Sequence, residues 1–176
     1  MSKHLVITAV GDDRPGIVND LTRHLLDSGC NILDSRMTIL GGEFALILLL
    51  SGNWSSIAKV EETLPRVADK LGLTLNLKRT ERRSPRGNLL SYHVDALAID
   101  QPGLVHRVAD FFSSRGINIE TLNTDSYNAA HTGTPMFAIS MTVNIPSAQS
   151  IAQIREQYLD FCDSLNMDGM MEPVRA

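Results

Sequence analysis

Two stretches of this chain carry residue types that can hold a small molecule bearing a carboxylate and an ammonium. The first is Asp13-Arg14-Pro15-Gly16-Ile17-Val18 and the second is Asp100-Gln101-Pro102-Gly103-Leu104-Val105. Proline fixes φ at a helix start, and glycine tightens the preceding turn without a Cβ clash. That use is architectural. The same turn leaves the first helical N–H groups unpaired at the positive end of the helix dipole, where a carboxylate is held. Asp12, Asp13 and Asp100 stand in these loops and can meet an ammonium, although most loop acids are simply solvated.

Each loop has a second polar landmark. Asn31 lies in Gly29-Cys30-Asn31-Ile32 and Asn118 in Gly116-Ile117-Asn118-Ile119, in both cases just after the helix that the loop opens. Asparagine both donates and accepts hydrogen bonds, and at this point it can come near the loop of a neighbouring module. Its other reading is a residue that tolerates the turn beside glycine. The pairing of loop and asparagine occurs twice, which adds weight to binding.

The remaining chemistry-bearing residues do not assemble into a reactive pattern. His4, His24, His93, His106 and His131 are scattered, and none stands at metal-ligand spacing. Asp12-Asp13 and Glu61-Glu62 are adjacent, and helical neighbours point apart. There is neither a P-loop nor a nucleophile elbow. Cys30 and Cys162 fall in apolar segments and read as buried, inert thiols outside any disulfide framework.

The elements that position the loops repeat with them. Every landmark in the first copy recurs 87 positions later, without insertion or deletion between loop and asparagine. In the first copy, Leu5–Val10 predicts a strand, and Gly16–Ser28 predicts a helix with Ile17, Val18, Leu21, Leu25 and Leu26 on one stripe. Gly29 ends that helix. Strands over Asn31–Leu40 and Glu43–Leu50 flank Gly41-Gly42, a hairpin signal. A helix over Trp54–Leu71 follows, which Pro65 is expected to kink or split and Trp54 to cap against the sheet. Thr74–Thr80 closes the unit as a strand.

The second copy predicts strand (Leu90–Ile99), helix (Leu104–Arg115), strand (Asn118–Tyr127), strand (Met136–Asn144), helix (Ser150–Leu165) and a strand near Met167–Val174. Its hairpin loop, Asn128 to Pro135, is the longer of the two. The class is α+β: two βαββαβ units, each a four-stranded antiparallel sheet with two helices on one face. The boundaries are 1–80, a linker at 81–88 that holds Arg82, Arg83 and Arg86, and 89–176.

Composition excludes several classes. A hydrophobic share of 43% supports a packed core rather than disorder. A formal charge of −4 argues against the broad cationic face that phosphate backbones require, so no direct nucleic-acid binding is expected. No apolar run reaches about 18 residues and the N-terminus carries no secretory pattern, so neither a membrane span nor export is expected, and the location is cytoplasmic.

Pro-Gly after the first strand, with Gly-x-Asn-Ile before the second, resembles the ACT domain, a ferredoxin-like module that senses small molecules, often amino acids. The likeness continues through Asp34-Ser35-Arg36, Leu49-Leu50-Ser51-Gly52-Asn53-Trp54 and Glu62-Thr63-Leu64-Pro65. Over these residues the chain is similar to the glycine cleavage system transcriptional repressors, a family of bacterial tandem-ACT regulators. The resemblance implies a non-catalytic regulator, without cofactor, that acts on a LysR-type activator of the glycine cleavage operon and is relieved by glycine. It also implies a homodimer. The ligand sites it implies are Asp13, Arg14, Gly16, Ile17, Val18 and Asn31 in one copy. In the other they are Asp100, Gln101, Gly103, Leu104, Val105 and Asn118, with the ligand usually held between modules. Gln101 in place of Arg14, and Thr121-Leu122-Asn123 in place of Asp34-Ser35-Arg36, make the two copies inequivalent. Two further readings are a regulatory module of the kind found beside formyltetrahydrofolate deformylase or amino-acid biosynthetic enzymes, and a standalone sensor of another amino acid. The first is disfavoured because no residues remain for a catalytic domain.

Overall fold

Alternation sends Leu5, Ile7 and Ala9 to one face of the first strand, and all three are buried. The computed structural model describes residues 2–81 and 87–174, so most of the expected linker lies outside the described residues. The elements are β1 (Lys3–Asp12), α1 (Ile17–Asp27), β2 (Asn31–Leu40), β3 (Glu43–Gly52), α2 (Trp54–Leu71) and β4 (Leu73–Thr80). They are followed by β5 (Leu89–Ile99), α3 (Leu104–Ser113), β6 (Asn118–Asn128), β7 (Pro135–Pro146), α4 (Ile151–Ser164) and β8 (Asp168–Pro173). Elements β1 to β4 form one compact unit and β5 to β8 a second.

Strand order is β2-β3-β1-β4 in the first unit and β6-β7-β5-β8 in the second, and every pairing is antiparallel. The two βαββαβ units are therefore the expected ones. In the first, Phe44, Leu46, Leu48 and Leu50 of β3 join Leu5 and Ile7 against Ile17, Leu21 and Leu25 of α1 and Ile57, Val60 and Leu64 of α2. Each such fully buried aliphatic side chain contributes about 1.5–3 kcal/mol relative to exposure. The second core uses aromatics instead: Phe111, Phe112, Tyr158 and Phe161 pack with neighbouring ring centroids 5.0–6.5 Å apart. The buried Tyr158 hydroxyl donates to the Asp95 carbonyl at 2.7 Å, and burial raises its pKa, which keeps it a neutral donor.

Two local expectations need correction. Pro65 does not split α2, which runs unbroken from Trp54 to Leu71. The ring sits on the exposed side of the helix, while Val60, Leu64 and Ala68 hold the other side in the core. Trp54 is 64% exposed and does not cap the helix against the sheet. The cap is Asn53, whose side chain accepts from the Ser56 N–H at 2.7 Å.

Gly11 of β1 is where the sheet tolerates no side chain. A Cβ there would stand 2.5 Å from the Gly72 carbonyl oxygen, in the turn between α2 and β4. Gly11→Ala is expected to destabilise the first unit by about 1–3 kcal/mol, read as a lower urea midpoint. An unchanged midpoint would show that the turn yields freely.

Candidate functional site

The two Pro-Gly loops have the same backbone. Gly16 precedes α1 at φ 89° and Gly103 precedes α3 at φ 85°, a left-handed region that only glycine enters without strain. The first intrahelical bonds are also equivalent, Asp20 N–H to Gly16 O at 2.9 Å and Arg107 N–H to Gly103 O at 3.0 Å. Neither helix start has a side-chain cap; in α1 the Ile17 N–H donates to Arg14 O at 3.4 Å, and the N–H groups that follow in the first turn are open to solvent or a ligand. Each loop is tied to its own hairpin: Asp13 N–H donates to Gly42 O at 3.2 Å, and Asp100 N–H donates to Pro135 O at 2.9 Å.

In the first unit the loop borders a cleft of about 470 Å³. Asp13, Arg14, Gly16, Ile17 and Val18 line one side, as the sequence suggests for a ligand site. Met37, Thr38 and Ile39 of β2 line the other, with Phe44 of β3 and Asn19 of α1. Sequence reasoning did not include these five. The usable signal was the strand period: Met37 pairs with Leu46 and Ile39 with Phe44, so both point to the helix-covered face. Ile17 and Phe44 are buried, whereas Met37 and Ile39 are open to solvent.

Asn31 is not beside the loop of its own unit. It pairs with Ser51, which pairs with His4 at the start of β1, whereas the loop follows Asp12 at the other end of that strand. The ten residues of β2 span the two ends, roughly 30 Å at strand rise. Asn31 lies instead in a second groove with Thr22, Arg23, Leu25, Leu26 and Ile32. Asn118, opposite Asn144, is likewise at the far end of its sheet from the loop at Asp100. Both asparagines are exposed on an edge strand. Just beyond each, the ladder slips by one residue, at Leu33 and at Glu120. This irregularity repeats between the units without any glycine to announce it.

With this geometry in hand, the chain can be set beside known proteins. The ACT domain family matches residues 3–78. The glycine cleavage system transcriptional repressor of Escherichia coli (strain K12) is 38% identical over 171 residues, which is 97% of this chain and 90% of that protein. The chain belongs to the glycine cleavage system transcriptional repressor family. A crystal structure put forward as a member of this repressor family superposes with a TM-score of 0.73 at 32% identity, over 100% of this chain and 99% of the other. A protein of unknown role from Galdieria sulphuraria gives 0.81 at 25% identity, over 99% of this chain and all of the other. Membership in the repressor family places the chain among regulators rather than enzymes.

Other clusters in this repressor-family chain do not compete with the loops as sites. His93 Nε2 stands 3.1 Å from Asp95 Oδ1, and Ser140 Oγ stands 3.5 Å from the same nitrogen. Sequence reading missed this group, although two residues apart on β5 share a face. A catalytic relay uses the two ring nitrogens separately, one toward the nucleophile and one toward the acid, and here both partners meet one nitrogen. His24 Nε2 meets Thr63 Oγ1 at 2.8 Å and ties α1 to α2. Cys30 and Cys162 are buried as expected, and burial raises both thiol pKa values, which disfavours the reactive thiolate. Among the described residues no cluster of three or more His, Cys, Asp or Glu could hold a metal, and no helix is long and apolar enough to cross a membrane.

Proposed function

We propose that this protein is a cytoplasmic, amino-acid-responsive repressor that acts on a LysR-type activator of glycine cleavage genes and is relieved by glycine. The observation that carries this reading is the loop built twice: two uncapped helix starts with the same left-handed glycine and the same first bond. Such a start supplies oriented N–H groups for a carboxylate. Asp13 and Asp100, exposed beside those starts, are suited to an ammonium. A formal charge of −4 supports repression through a protein partner rather than through direct contact with DNA. Loop and asparagine lie at opposite ends of each sheet, so a single unit does not close both around one small ligand.

A thermal-shift titration tests the sensor. Glycine is so small that a ceiling of about 1.5 kcal/mol per non-hydrogen atom limits its Kd to a few μM at best. At ~100 times Kd the stabilisation is about 2.7 kcal/mol, a rise in Tm of several degrees. No shift with any amino acid at tens of mM would remove the sensor.

The asparagines separate ligand contact from turn formation. Asn31→Ala and Asn118→Ala are each expected to raise the glycine Kd about 2- to 12-fold, the loss of one neutral hydrogen bond. Both side chains are exposed, so stability should move by less than about 0.5 kcal/mol. Calorimetric binding that is unchanged in both variants would make these residues turn formers.

A further inference from the structure

We propose that the cleft of the first unit selects an amino acid with an aliphatic side chain, of the leucine, isoleucine or methionine kind, over glycine. This rests on the reading of the Pro-Gly loops as amino-acid sites and adds a second input to the glycine response. The cleft, at about 470 Å³, falls in the range of about 300–1,000 Å³ typical of small-molecule sites, and glycine fills little of it. One end presents Asp13 and Arg14, charges of opposite sign suited to an ammonium and a carboxylate.

The rest of the lining is apolar. Ile17 and Phe44, each 2% exposed, form the floor, and Met37 and Ile39, 52% and 56% exposed, form an open wall. That wall gains from covering by hydrocarbon, which glycine does not supply.

The second copy shows which part of this arrangement is particular to the first. At the 87-residue offset the loop glycine and its backbone are kept, whereas Met37 becomes Thr124 and Ile39 becomes Ser126. Phe44 keeps a counterpart, since Ile39 pairs with Phe44 and Ser126 with Phe137. The loop backbone and its acid are thus repeated, with Gln101 in place of Arg14, while the wall for a side chain changes from hydrocarbon to hydroxyl. The preference belongs to the first unit.

The test is calorimetry on the full chain with glycine, alanine, valine and leucine, and then with the double variant Met37→Thr, Ile39→Ser, which installs the wall of the second copy. Affinity should climb along the series, with leucine about 10- to 100-fold tighter than glycine, as expected for burying one aliphatic side chain. In the double variant the leucine-to-glycine ratio should fall to within about threefold, with a circular dichroism melt confirming the fold. Glycine binding with a flat or falling series overturns this proposal and leaves the amino-acid sensor standing. A flat series with mass that rises with concentration assigns the wall to a contact between copies and overturns it equally. No binding by any amino acid removes both readings. A double variant that keeps the leucine advantage moves the selectivity elsewhere and refutes the assignment to this cleft. Should that variant fail to fold, the ligand series on the unaltered chain decides alone.

Discussion

Phe112→Ala is expected to cost the second unit about 3–5 kcal/mol, the range for removing a fully buried aromatic side chain. The ring has no exposed surface, and it sits edge-on to Phe111 at 5.0 Å and tilted against Tyr158 at 5.5 Å. Its carbonyl accepts the N–H of Ile117, which closes α3 before the chain turns into β6. The cavity left by the ring is bordered by aromatic neighbours that cannot collapse into it without losing their own packing. A unit of this size has about 5–15 kcal/mol in total, so the substitution removes a large share of it. The corresponding fall in Tm exceeds about 10 °C. Phe161 is only half-buried, and Phe161→Ala should cost distinctly less in the same assay. Urea denaturation of both variants decides. A loss below about 1 kcal/mol for Phe112→Ala would show that the aromatic cluster closes over the gap. The functional consequence follows from position, because α3 carries the Gly103 loop at its other end and loses its anchor with the ring.

How much of this was legible in the sequence depends on whether the deciding force is local. Gly16 and Gly103 were readable because a Pro-Gly step before an apolar stripe has few other uses, and both occupy the left-handed region. The bounds of β2 and α2 were equally plain, since Gly41-Gly42 and Gly72 punctuate the periodic runs. Pro65 misled as to a split, because proline can end a helix locally and the packing of Val60, Leu64 and Ala68 carries this one through. Trp54 misled because a large apolar residue reads as buried, although its position on the first turn leaves it in solvent. The cleft lay beyond local reasoning. That Met37 and Ile39 face the Asp13–Val18 loop follows from β2 being the edge strand beside β3, a fact of topology. The wide separation of Asn31 from its own loop is likewise set by antiparallel strand order, which no spacing in the sequence reveals.

Glycine and the LysR-type activator are expected to weaken each other's binding by the same factor, about 5- to 150-fold. For repression relieved by glycine, the ligand must bind the free protein better than the complex, and linkage then requires the partner to lower glycine affinity equally. A coupling of about 1–3 kcal/mol spans that range. The sign is fixed even though the route is not local. The two faces of such a coupling differ in chemistry, since the proposed loop site offers N–H groups and Asp13 to a zwitterion, while the partner needs a larger surface. Exposed apolar side chains along β2 offer one: Leu40, 70% exposed, follows Ile39 at the first cleft, and Ile32 and Leu33, 42% and 47% exposed, lie toward the other end of the strand. Covering that strand while the cleft is occupied is the kind of conflict that produces mutual weakening. The measurement is the glycine Kd with and without saturating purified activator, paired with the activator Kd with and without glycine. Equal factors in the weakening direction are the expected result. A glycine Kd indifferent to the activator would leave a repressor without a glycine switch, and tight sequence-specific binding of operator DNA by this protein alone would remove the activator from the mechanism.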